Sequence, residues 1–151
     1  MNPRRVPALS ADELGRAWPN SIHALYRVAR MKRDDLRLDE IWARAQEADF
    51  PWERFREGVE IHRLWGDMDS SGEAAALLRY AAGGFVPAHR HEAMEEIFVL
   101  SGSQRDLRGV YPAGSHVVNP PGSSHTVESP EGCVVLVIWQ EPNTWVDPAG
   151  A

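Results

Sequence analysis

From Phe50 onward the chain breaks into short β-prone runs, each cut off within a few positions by glycine, proline, serine or aspartate. GVEIHRLW (58–65), EAAALLRYAA (73–82), EEIFVLSG (95–102), SHVVN (115–119), HTVES (125–129) and CVVLVIW (133–139) read as strands. GDMDSSG, GGFVP, RGVYPAG, PPGSS and SPEG read as the turns between them. Many short strands at close spacing predict an antiparallel sandwich or barrel. The run at 73–82 also has helical propensity, but a lone short helix would interrupt the series, so it is read as a strand. Before Phe50 the pattern is different. Ser10-Ala11-Asp12-Glu13 has the form of a helix capping box, Pro19 interrupts, and Leu38, Ile41, Trp42 and Ala45 recur at helical spacing. Residues 10–48 are therefore expected to be mainly helical. The chain divides into an N-terminal helical arm (1–49) and a β domain (50–151).

Composition bounds the function. A chain of 151 residues with 43% hydrophobic and 25% charged residues suits one globular domain with a real core. The net charge of −6 and the lack of any Lys/Arg run argue against nucleic acid and anionic membrane as partners. The longest apolar run, 133–139, is too short to span a bilayer, and no apolar secretory core follows Met1. A cytoplasmic protein is expected. The single cysteine, Cys133, leaves no internal disulfide and no CxxC zinc site, and it reads as a small core hydrophobe.

The chemistry lies in GGFVPAHRHEAMEEIFVLSG and GVYPAGSHVVNPPGSSHTVES. His89 and His91 are one residue apart, so on an extended strand they share a face. Glu95 keeps the same parity, and His125 leaves the Pro120-Pro121-Gly122 turn to face them. Imidazole and carboxylate together suit one divalent transition metal. Glu96 competes for the carboxylate position, but its opposite parity aims it elsewhere. His116 lies in an alternating strand and either lines the interior or faces solvent. Glu96 and His116 are the candidates for a catalytic acid or base. His62 reads as a strand-face residue and His23 as a solvated residue of the arm. A helical HExxH site fails, because Glu95 stands where the second histidine is needed. No GxSxG or phosphate-cradling loop is present. Six tryptophans suit core and interface packing or an aromatic cavity wall.

The glycine and proline spacing carries a family resemblance. Gly83, five residues, His89, one residue, His91, three residues, Glu95, six residues, Gly102 is similar to the first cupin motif at every position. Gly114, five residues, Pro120, one residue, Gly122, two residues, His125 is similar to the second; where that motif usually ends in Asn, this chain has Ser129. The resemblance spans residues 50 to 145. Through Asp106, Gly109, YPAG (111–114), NPPGSSH (119–125) and SPEGC (129–133) it narrows to the ChrR-type anti-sigma-factor cupin domain and its stand-alone relatives. It implies an all-β cupin-type antiparallel barrel (a double-stranded β-helix or jelly roll) and, because cupins commonly dimerise, a homodimer.

Two functions follow from the resemblance. One is a small metal-dependent enzyme, of dioxygenase type, acting on a small molecule in the barrel. The other is a non-catalytic regulatory or sensory protein. ChrR-type anti-sigma factors also carry an N-terminal zinc module with a Cys-x-x-Cys pair; this chain has no cysteine before Cys133, which disfavours direct sigma-factor inhibition. Zinc with four protein ligands would be closed, whereas iron with two further positions would leave room for substrate. Zinc and iron are the leading candidates, and manganese and nickel accept the same ligands.

Overall fold

The computed structural model describes residues 40–66 and 72–146. One short helix, α1 (Ile41–Arg44), precedes ten strands: β1 (Glu53–Arg56), β2 (Val59–Gly66), β3 (Ala74–Tyr80), β4 (Gly84–Arg90), β5 (Glu95–Asp106), β6 (Gly109–Pro112), β7 (His116–Asn119), β8 (Ser124–Ser129), β9 (Cys133–Trp139) and β10 (Thr144–Trp145). They form one antiparallel sheet in the order β1-β2-β3-β9-β5-β8-β4-β10, with β6 and β7 also pairing with β5. The sheet curls into the expected barrel, and its interior is the main core.

Alternation explains which face is which. In β5, Glu95, Ile97 and Val99 are buried while Glu96, Phe98 and Leu100 are only partly covered. The inner residues join Val59, Ile61, Val86, Val127, Val135, Val137 and Trp139 in the barrel core. β3 is buried on both faces. Ala74, Ala76 and Leu78 point in, while Ala75 and Leu77 pack outward against Ala45, Phe50 and Leu64, with Ile41, Trp52 and Trp65 at the edge of that cluster. Two-sided burial between β2 and β9 overrides the helical propensity of its alanines.

Of the expected helical arm, residues 10–39 lie outside the described residues, as does His23. The described end, α1 and the segment to Trp52, packs on the outside of the barrel. Two segments expected as turns contain strands. GGFVP opens β4, and RGVYPAG holds β6, which pairs with an end of β5 that runs four residues past Gly102. Gly102 itself has φ +66, and a Cβ there would collide with the Gly132 carbonyl, so only glycine fits this crossing of β5 and β9.

Candidate metal centre

Three local features bring the four side chains together. His89 in β4 lies directly across the ladder from His125 in β8, with Trp145 of β10 on its other side. The β4–β8 register shifts between Val86 and His89, where Pro87 has no N–H to give. His91 falls just past β4. Its N–H donates to the Ser123 carbonyl (2.9 Å) and its carbonyl accepts from Gly122 N–H (2.7 Å), so the Pro-Pro-Gly turn grips it. Glu95 begins β5, flanked by Asn119 of β7 and Trp139 of β9. The possible ligand atoms of all four lie within 4.8 Å of one another. His89, His91 and Glu95 are 4%, 1% and 3% exposed.

Hydrogen bonds fix which nitrogen each histidine turns to the centre. His89 Nδ1 donates to the Pro87 carbonyl (2.8 Å). Ser123 Oγ donates to the Pro120 carbonyl, so it accepts from His91 Nδ1 (2.9 Å). His125 Nδ1 donates to Asp106 Oδ2 (3.0 Å). Each ring therefore holds its proton on Nδ1 and presents the Nε2 lone pair inward. The Nε2 atoms of His91 and His125 are buried and have no hydrogen-bond partner. Leaving such an atom unsatisfied costs about 1–3 kcal/mol. His91 Nε2 lies 3.1 Å from Glu95 Oε1 but makes no hydrogen bond to it. Two ligands held about 2.1 Å from one ion at right angles would stand about 3 Å apart. The donor set thus fits a divalent transition ion.

The surroundings favour the forms that bind metal. Burial lowers the pKa of His89 and His125, against the pull of the Pro87 carbonyl and Glu95 on the first and of Asp106 and Glu95 on the second. Burial opposes ionisation of Glu95, yet its pKa lies below the usual carboxylate range, with the Asn143 amide among the groups that favour the carboxylate. Asn119 Nδ2 donates to Oε1 and Asn143 Nδ2 to Oε2, each at 2.8 Å.

A second layer stands behind His125. Asp106 Oδ2 accepts from His125, from Arg108 Nε (2.9 Å) and from Arg108 Nη2 (2.7 Å). Its Oδ1 accepts from Tyr111 Oη (2.8 Å) and Arg108 N–H (2.7 Å). Arg108 Nη2 also donates to Asn119 Oδ1 (2.6 Å), which links the supports of His125 and Glu95. Burial raises the Asp106 pKa, but these donors together hold it well below the usual range. Sequence reasoning touched Asp106, Tyr111, Asn119 and Ser123 only as parts of the runs behind the family resemblance, and passed over Arg108 and Asn143. Asn119 carried a signal, a polar residue at an inward position of SHVVN.

The other candidates sit elsewhere. Glu96 and His116 pair at 2.9 Å, and the His116 ring stacks on Phe98 at 4.1 Å, on the face of β5 and β7 away from the cluster. His62 Nδ1 meets the Pro51 carbonyl, and its ring lies 4.5 Å from Phe50. Cys133 packs in the barrel core, where burial pushes its thiol up to about 11. Ser129, in place of the motif's asparagine, is buried and donates to the Ser103 carbonyl (2.7 Å).

A cavity of about 200 Å³ opens beside the cluster. His89, Glu95 and His125 form one part of its wall, and Leu78, Ile97, Val127, Val137, Trp139 and Trp145 form much of the rest. Two of the tryptophans thus line a cavity, while Trp52 and Trp65 belong to the outer cluster.

Residues 42–142 match the profile of the ChrR cupin-like domain. The chain belongs to that family. No curated protein sequence matches it. Among solved structures, it is similar to a protein of unknown function with a cupin-like fold from Ralstonia eutropha JMP134 (22% identity, 62% of each chain, TM-score 0.56). It is similar to the Rhodobacter sphaeroides SigE complex with the anti-sigma ChrR (27% identity, 61% of this chain and 49% of that one, TM-score 0.54). The fold also matches an acetylacetone dioxygenase from Acinetobacter johnsonii (19% identity, 70% of this chain and 78% of that one, TM-score 0.62). The match spans less than two thirds of the Ralstonia chain and about half of the chain in the ChrR complex.

Proposed function

We propose that His89, His91, Glu95 and His125 bind one divalent transition ion, iron or zinc first, and that this ChrR-like cupin is a small metal-dependent enzyme of oxygenase type. The observation that carries the catalytic half is the cavity, which reaches three of the four ligands. A purely structural ion needs no such space. The bound metal would supply Lewis acidity and, if it is iron, a route to oxygen chemistry. The protein's own part is to hold three Nε2 lone pairs and one carboxylate in place, to exclude water with Trp139, Val127 and Val137, and to orient a small molecule. Glu96 and His116 face away from the cavity, so no acid or base role is assigned to them here. The likeness to the dioxygenase is one of fold and does not itself supply an activity.

The sensory reading rests on family membership and the likeness to the ChrR complex. Coordination separates the two. Cobalt(II)-loaded protein titrated with azide should change its visible spectrum, as a site with an exchangeable position does. A tetrahedral spectrum indifferent to azide would remove the catalytic reading and leave the sensory one. The proposal includes a cytoplasmic homodimer. It draws on the buried free thiol and on exposed Phe85 and Val118, and light scattering tests the dimer. Among the described residues no helix is long and apolar enough to cross a membrane.

A further inference from the structure

Among the described residues, one cation in the cavity wall is not matched by a carboxylate. Arg56, the last residue of β1, and Arg63 of β2 both line the cavity. Arg63 is neutralised by Glu53 at 2.6 Å. Arg56 has no carboxylate partner among the described residues, and its Nε is buried without a hydrogen bond. Burial lowers its pKa. Its guanidinium lies 3.6 Å over the Trp145 ring, and Trp145 in turn lies 5.7 Å from His89. A guanidinium stacked on an aromatic face keeps its N–H edge in the plane of the fork, free to take a planar carboxylate. The stack therefore sets a positive group and the His89–His125 cluster on one cavity, separated by a single indole and apolar wall.

We infer that the cavity takes a small organic monoanion: a carboxylate whose charged end pairs with Arg56, whose short apolar body lies along Leu78, Ile97 and Val127, and whose far end faces the His89–Glu95–His125 wall. This rests on the proposed metal centre for the role of the far end, but the carboxylate subsite stands on Arg56 alone. The volume of about 200 Å³ sets the size. It lies below the roughly 300–1,000 Å³ of pockets for drug-sized ligands, so the body is short. A dianion or a sugar is disfavoured, because Arg63 and Asn143 in the wall are already engaged by Glu53 and Glu95 and leave few partners for further polar groups. Phosphate esters would bring a second charge that no described group in the cavity meets.

The probes are levulinate, a short keto acid, and levulinamide, its neutral isostere. Binding is followed by tryptophan fluorescence and calorimetry on the full-length protein, with and without cobalt(II). Wild type should prefer the carboxylate by roughly 10- to 100-fold, the range for a charge-assisted hydrogen bond in a partly dry site. Arg56→Met should bring the two affinities close to each other, and an unchanged circular dichroism spectrum shows that the variant folds. Arg56→Lys should keep part of the preference. Equal binding of the two probes to wild type, no binding of levulinate, or a preference that survives in Arg56→Met would each overturn the inference. Failure of the metal centre reads out separately as absence of bound cobalt, because the charge preference is measured in both states.

Discussion

Replacing Asp106 with asparagine changes one atom, yet it should weaken metal binding substantially. The carboxylate accepts five hydrogen bonds, three at Oδ2 and two at Oδ1. An amide has one acceptor oxygen, and its NH2 group can only donate. With the NH2 on the Oδ2 side, His125 would have to offer Nδ1 as an acceptor. Its proton would then move to Nε2, the nitrogen needed by the ion. With the NH2 on the Oδ1 side, it would oppose the Arg108 N–H, and Arg108 would lose its counter-charge. Either arrangement has a cost at the metal or in the support. Loss of such an outer partner costs roughly 10- to 100-fold in metal affinity, or about 1.4–2.8 kcal/mol. Competition with a chromophoric chelator measures it, and circular dichroism checks the fold. Wild-type affinity in a folded Asp106→Asn protein would refute the claim that Asp106 sets the His125 tautomer.

Other outcomes follow from the same geometry. The His91→Ala/His125→Ala double variant should purify without metal, as read by elemental analysis; full retention would sink the ligand assignment. The metal-free protein should lose stability to denaturant as pH falls from about 7.5 to about 5.5, because the unfolded chain takes up protons at histidines that His89 and His125 resist when folded. That contribution is complete above the unfolded histidine range and is lost below it. Glu95, with its lowered pKa, extends the loss below the ordinary carboxylate range; a flat or rising profile would contradict the burial argument. Phe50→Ala should cost about 3–5 kcal/mol in urea unfolding if the segment before β1 is integral to the outer cluster. A loss under about 1 kcal/mol would make that segment an appendage.

The sequence made the inner face of the barrel legible where alternation was regular. Glu95, Ile97 and Val99 could be placed inward from parity alone, and Glu96 outward. Alternation failed where the fold needed irregularity. β4 was hidden by Gly83, Gly84 and Pro87, which read as a turn. In the barrel Gly84 lies where a Cβ would meet the Gly58 carbonyl at 2.6 Å, and Pro87 sits at the register shift that places His89 across from His125. The end of β5 was hidden by its polarity. Ser103-Gln104-Arg105-Asp106 resembles a loop, but it pairs with β6, and that pairing places Asp106 behind His125. The supporting residues are ordinary polar side chains, and only the register of β7 on β5 makes Asn119 a neighbour of Glu95. Nothing in one-dimensional spacing encodes that neighbour.

The same register explains why the site has a dry floor and an open side. Glu95 has Asn119 on one flank and Trp139 on the other, so one neighbour satisfies its charge while the other excludes water. His89 stands between His125, a ligand candidate, and Trp145, half exposed at the edge strand. The cavity beside the cluster thus runs from Ile97, Val137 and Trp139 in the barrel core to Trp145 at the edge strand, where Arg56 rests on the indole. A small molecule entering from that side would meet the cation first, the indole next and the ligand cluster last. That order would favour an anion with its reacting group at the far end, and it would make Trp145 a determinant of entry. Trp145→Ala should therefore leave metal affinity within about twofold, since the indole supplies no ligand and no hydrogen bond to one, while weakening levulinate binding through loss of the surface that orients Arg56. Loss of the metal in that variant would mean that β10 holds His89 in place, and the division between binding wall and metal wall would fall.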